Sequence, residues 1–237
     1  MSDQTTSFTT FTNPYWIPPG HQWYVPFDVT SIRVQCWGPG GVPFWSYSSG
    51  GGGGGGEYFE AVLPVRAGYL IEIWQQDPDY NGYGSIVIQN NGNLALDCMG
   101  GGPGNRLNGG SNGGVGGWNA GQVYGDSSKV VSYPGGRGAN KYDYTDYPHL
   151  LTGKSGAGGG GAGTLGPGSN AVKGTPGAGG SVDGGKGGYT GAPKGSNYGG
   201  GGGGDSGYWR GQAGQSKVSI IWNAGTNDLA NIVTNFD

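Results

Sequence analysis

Glycine supplies 59 of the 237 residues, and much of it falls in a period of three: Gly110, Gly113, Gly116; Gly153, Gly156, Gly159; Gly174, Gly177, Gly180; Gly185, Gly188, Gly191; Gly201, Gly204, Gly207. Three residues per turn is the polyproline-II-type helix, which makes no hydrogen bonds within its own strand. Its amide and carbonyl groups must find partners on other segments. Glycine on one edge of each turn lets neighbouring helices approach closely enough to supply them. The period therefore predicts a bundle of polyglycine-II helices. Disorder is a poorer account, because aromatic residues make up 12% of the chain and the net charge is only −3, whereas disordered chains are aromatic-poor and strongly charged. Collagen is disfavoured too, since the triplet runs are short and carry little proline.

The flanks of the glycine tracts read as strands. Residues 7–12 and 22–27 are short aromatic segments, and Ser31 to Trp37 sets Ile32, Val34 and Cys36 against Arg33 and Gln35. Glu57 to Leu63 and Tyr69 to Trp74 are expected to pair around the turn Pro64 to Gly68. Ser85 to Gln89 and Leu94 to Met99 flank Asn90-Asn91-Gly92, and Asn-Gly between apolar runs is a strong hairpin signal. Lys217 to Trp222 is a last strand, after the whole glycine region. The expected fold is all-β: one domain over 1–237, a small β-sandwich with strands within 7–99 and 217–223, and a glycine-helix insertion over about 100–215. In the tail, 224–237, Leu229, Ile232, Val233 and Phe236 at helical spacing allow a short C-terminal helix, packed on the sandwich or plugged into another subunit.

Several classes of function are disfavoured. No apolar run approaches the twenty residues of a membrane span, and the N-terminus has neither the basic nor the apolar segment of a secretory signal peptide. A pI near 5.2 gives no basic footprint for nucleic acid. Gly156 to Gly161 satisfies the dinucleotide-binding pattern, but in a chain this rich in glycine, and without a flanking strand and helix, it is a chance match. With two histidines and no cluster at metal-ligand spacing, neither an enzyme, a metal nor a cofactor is expected. Cys36 and Cys98 read as packed thiols, a single bridge remaining open. Trp16, Trp23 and Trp37 either anchor an interface or fill the core.

The order of pieces carries a resemblance. Phe11-Thr12, Trp23-Tyr24-Val25-Pro26, Val29 to Gly38, the run Gly50 to Gly56 leading into Glu57-Tyr58-Phe59-Glu60-Ala61, and the closing stretch Gly211 to Trp222 together resemble the glycine-rich domain of bacteriophage tail-fibre proteins over about residues 8–223. The resemblance implies an extracellular, non-enzymatic receptor-binding module on the virion. Its polyglycine-II bundle would be held on a β-sandwich, with loops facing a host cell-surface protein or glycan. Other virion proteins would be its partners, and a homotrimer is as open as a monomer. Ordinary fibre proteins carry a shaft before this domain, whereas this chain begins at it, which implies a separate tip protein or a short fibre.

Regular glycine helices present few side chains, so recognition is expected in the loops between them. Tyrosine offers large, rigid contact area with a hydroxyl for protein or sugar. The candidate receptor-binding residues are accordingly Tyr80 and Tyr83; Tyr124, Tyr133, Arg137, Tyr142, Asp143, Tyr144, Asp146 and Tyr147 in the long stretch 122–151; and Tyr198. Some of these tyrosines are equally suited to shielding the glycine backbone. The competing expectation is a structural virion component whose loop aromatics are buried between subunits.

Overall fold

A computed structural model describes residues 3–9, 21–44, 50–76, 84–107, 110–112, 121–140, 156–181, 183–189, 194–202 and 212–223. The described chain is all-β. Its strands are β1 (Asp3–Thr9), β2 (His21–Tyr24), β3 (Ser31–Trp37), β4 (Tyr58–Pro64), β5 (Leu70–Gln76), β6 (Ser85–Asn90), β7 (Asn93–Met99), β8 (Asn105–Leu107), β9 (Gly110–Asn112), β10 (Gln122–Val123), β11 (Ser128–Tyr133) and β12 (Lys217–Asn223). Two antiparallel five-stranded sheets result, in the orders β1-β12-β3-β4-β11 and β10-β7-β6-β5-β2, with a small β8-β9 ribbon apart.

Alternation along the strands builds the core between the sheets. Ile32, Val34 and Cys36 of β3, Phe59, Ala61 and Leu63 of β4, and Val218, Ile220 and Trp222 of β12 meet Trp23, Ile71, Ile73, Ile86, Ile88, Leu96 and Cys98 of the second sheet. The rings of Trp23 and Trp222 lie 5.0 Å apart across the two sheets. Cys36 and Cys98 are buried free thiols, with Cys98 Sγ 3.7 Å from the Cys36 carbonyl oxygen.

The structure revises some expected pairings. β4 and β5 do not form a hairpin: β4 pairs with β3 and β11, and β5 pairs with β2 and β6. The turn between them carries the chain from one sheet to the other. Val65 N–H donates to Thr30 O at 2.9 Å and Gly68 N–H to Val25 O at 2.9 Å, with Gly68 at φ +77°. The β6–β7 hairpin forms as expected, with Asn91 and Gly92 both at positive φ. The stretch 122–151, read as loop, contains β10 and β11. β11 escapes a period-two search because a register shift between Lys129 and Val131 breaks its alternation and leaves Val130 exposed. Of the strand expected over 7–12, residues 7–9 belong to β1, held by its pairing with β12 rather than by an apolar pattern of its own, and 10–12 lie outside the described residues. The strand expected over 22–27 ends at Tyr24, before Pro26, which has no N–H for the ladder. The tail 224–237 lies outside the described residues.

At one pole of the sandwich, where β3 ends and β4 begins, the glycine segments bond to one another laterally. Gly38, Gly41 and Phe44 N–H donate to Glu57, Gly54 and Gly51 O, so 38–44 runs out and 50–57 returns beside it. The N–H groups from Gly52 to Glu57 then serve three other segments in rotation. Gly52 and Gly55 donate to Ala139 and Gly136, Gly53 and Gly56 to Gly202 and Gly199, and Gly54 and Glu57 to Gly102 and Met99. Carbonyls of the same segment accept from a fourth: Gly156 donates to Gly50, Gly159 to Gly53 and Ala162 to Gly56. Every partner recurs at a spacing of three. Segments 38–44 and 50–57, which the sequence places with the sandwich, thus belong to this lateral network, and 50–57 is surrounded by it. Only glycine fits there, since a Cβ on Gly53 would run into the Gly41 carbonyl oxygen and one on Gly201 into that of Gly53.

Candidate functional site

The network is seated on the sandwich by aromatic side chains. On the outer face of the first sheet, Trp37 and Tyr58 meet with ring centroids 5.1 Å apart, Tyr133 stacks on Tyr58 at 6.3 Å, and Tyr198 lies 6.2 Å from Trp37. Lys217 Nζ stands 4.8 Å from the Trp37 ring and 4.9 Å from that of Tyr198, a pair of cation–π contacts. The Tyr58 hydroxyl donates to Glu60 Oε2 at 2.6 Å, as does Gln35 Nε2 at 3.0 Å, and Arg33 Nε lies 3.4 Å from Glu60 Oε1. Burial, with the adjoining Glu60 carboxylate, pushes the Tyr58 phenol far above its ordinary range. Of the candidate recognition residues, Tyr133 and Tyr198 therefore sit in a packing cluster with Trp37, Tyr58 and Ala162. Truncating Tyr198 to alanine is expected to cost about 2 kcal/mol of stability, which urea unfolding would read. Trp23 and Trp37 are both buried; Trp16 lies outside the described residues.

Glu57, immediately after the run of seven glycines, ties the seat together. Its backbone N–H donates to Met99 O at 3.1 Å, and its carbonyl accepts from Gly38 N–H at 2.8 Å. Its fully buried side chain accepts from the N–H groups of Met99 at 3.2 Å and Gly121 at 3.1 Å on Oε2, while Oε1 has no partner among the described residues. Burial raises its pKa from 4.5 to about 7, against the pull of those two N–H groups and of Lys129. Sequence reasoning passed over it, although the charge standing between a glycine run and an apolar strand is the signal that marks it.

The far end of the network is defined by the segments that run out from the sandwich. Ala139 O is bonded to Gly52 N–H, and Gly156 N–H to Gly50 O, so the chain on both sides of 141–155 stands level with the outer end of 50–57. Phe44 and Gly50, flanking 45–49, stand at the same end, and Gly104 N–H donates to Val42 O there. Arg137 is exposed on the same outward segment; its N–H donates to Asn170 Oδ1 at 2.8 Å and its carbonyl accepts from Ala171 N–H at 2.7 Å. Tyr142, Asp143, Tyr144, Asp146 and Tyr147, and likewise Tyr80 and Tyr83, lie outside the described residues. The residues flanking the second group, Gln76 and Gly84, stand where the second sheet meets the network, since Gln76 pairs with Ser85 and Gly100 N–H donates to Gly84 O.

Tyr124 is separated from all of these. It belongs to the turn between β10 and β11, at the pole of the sandwich away from the glycine network, where β1 begins opposite the last residue of β12. The described candidate residues thus divide among an outward segment of the network (Arg137), its seat on the sandwich (Tyr133 and Tyr198) and the opposite pole (Tyr124). Among the described residues there is no cluster of three His, Cys, Asp or Glu side chains placed to hold a metal ion, and no helix long and apolar enough to cross a membrane. No protein-family model matches the chain, and no characterised protein matches it significantly.

Proposed function

We propose that this chain is a receptor-binding adhesin at the tip of a bacteriophage tail fibre or short fibre, and that its glycine region is a bundle of polyglycine-II helices serving as a rigid mount for recognition loops. The helical reading is supported by hydrogen bonds that return to the same neighbouring segment every third residue, as a three-residue turn requires. At roughly 3.1 Å per residue, the segment from Gly56 to Gly50 carries the mount about 20 Å beyond the sandwich.

The observation that carries the functional reading is polarity. Ala139 and Gly156, on either side of the tyrosine-rich stretch, are held at the outer end of the network, away from the sandwich. On this reading the mount carries the stretch that follows Asn140 away from the sandwich, towards a host surface protein or glycan. Lateral bonding in every direction gives the loops a fixed base, which lowers the ordering cost of binding. The activity is binding, without catalysis, cofactor or metal, on the outside of the virion.

A direct test is to label the purified protein and measure its retention on host bacteria, beside a variant carrying Tyr142→Ala, Tyr144→Ala and Tyr147→Ala. The wild type should bind saturably and the variant at least tenfold more weakly at unchanged unfolding midpoint. Equal binding by both would remove the long loop from the site. Absence of binding by the wild type would favour a structural virion component instead.

A further inference from the structure

The pole of the sandwich opposite the glycine region holds a cleft of about 280 Å³ framed by three turns: the crossover between β4 and β5, the β6–β7 hairpin and the turn between β10 and β11. That volume is just below the usual range for sites taking drug-sized ligands, about 300–1,000 Å³, so the cleft suits a single small ring. The half-buried Tyr69 and Tyr124 line it, and Leu94 adds exposed aliphatic surface. Arg66, Asn93 and Asp126 supply donors and acceptors at its rim. Among the described residues, Arg66 and Asp126 are the only charged side chains in the lining, and they are of opposite sign, so their charges balance.

Three of the polar side chains of the lining are held by bonds within the protein. Tyr124 OH donates to Gln122 Oε1 at 3.1 Å, Asn93 Nδ2 to Asn91 O at 3.4 Å, and Asn90 Nδ2 to Pro64 O at 2.8 Å, which ties the hairpin to the crossover. Asn91, Gly92 and Gly125 sit in left-handed turn conformations that set the rim. We infer that this cleft is a binding subsite for a neutral saccharide, one pyranose ring at a time. A pyranose has an apolar C–H face to lie against tyrosine and leucine and a rim of hydroxyls that both donate and accept, as amide, guanidinium and carboxylate together require. An anion would meet Asp126 beside Arg66 and gain no net attraction from the pair, and a calcium ion would need six to eight oxygens, more than one carboxylate and its neighbours supply. The inference does not depend on the adhesin reading, because the cleft lies at the pole away from the glycine network.

The test uses the whole ¹⁵N-labelled protein titrated separately with glucose, galactose, mannose and N-acetylglucosamine to about 50 mM, a range suited to millimolar affinity. At least one sugar should move the amide signals of Gly92, Leu94 and Gly125 to saturation. Tyr124→Ala and Asp126→Asn should each abolish those shifts at the same concentrations. Asp126 is an exposed turn residue, so the second variant keeps the test decisive should the first disturb the fold. Absence of movement at the cleft with all four sugars, or equal shifts in the folded Asp126→Asn variant, would overturn the assignment.

Discussion

Replacing Gly53 by alanine is expected to destabilise the protein by at least about 3 kcal/mol, because the added methyl group would meet the Gly41 carbonyl oxygen. That oxygen cannot yield easily, since it accepts from Gly202 N–H at 3.0 Å. Gly53 is itself bonded on both sides, donating to Gly202 O and accepting from Gly159 N–H. Relief would therefore break bonds in three segments at once, each worth about 1 kcal/mol net and more if its groups stay buried and unpaired. Gly166→Ala is the control. No atom lies within 4 Å of a Cβ placed there, and alanine stiffens the unfolded chain, so its stability should stay within about 1 kcal/mol of the wild type. Urea midpoints followed by the fluorescence of the buried tryptophans would compare the two. Equal midpoints would mean that the segments are not packed backbone to backbone.

Glu57 makes stability fall as pH rises. Below pH 4.5 its carboxyl is protonated in the folded and unfolded chains alike. Between 4.5 and about 7 the unfolded chain has released the proton and the folded one has kept it, so the folded state binds more protons and loses stability with rising pH. Above about 7 both are ionised and this contribution levels off. A shift of this size corresponds to about 3 kcal/mol. Glu57→Gln removes the titration while keeping an acceptor for Met99 and Gly121 N–H. The stability of the wild type relative to this variant should fall by about 3 kcal/mol from pH 4 to pH 8, a comparison in which other titrating groups such as Asp183 largely cancel. A difference that stays flat across that range would place Glu57 in contact with water.

Alternation and turn chemistry made part of the fold legible. Ile32, Val34 and Cys36 fix β3 to the residues read from the sequence, and Asn91-Gly92 fixes the β6–β7 hairpin. Alternation reports which face of a strand is buried and is silent on its neighbour, and for that reason β4 and β5, adjacent in sequence, were expected to pair yet belong to different sheets. β11 was hidden by its register shift, and β1 by a run of threonines and serine whose pairing is dictated by β12. For the site, the period of three was visible, but not the share of 38–44 and 50–57 in the network, because lateral partners lie far away in sequence. Tyrosine content pointed to loops; it could not separate Tyr198, packed against Trp37, from Tyr124 in a cleft at the other pole.

The most direct test of the adhesin account is adsorption competition, in which host bacteria are preincubated with purified protein and then exposed to the virus. The account predicts that the wild type lowers the adsorption rate in a saturable manner and that the folded variant with Tyr142, Tyr144 and Tyr147 replaced by alanine does not. Adsorption unaffected by a folded excess of the wild-type protein would contradict it.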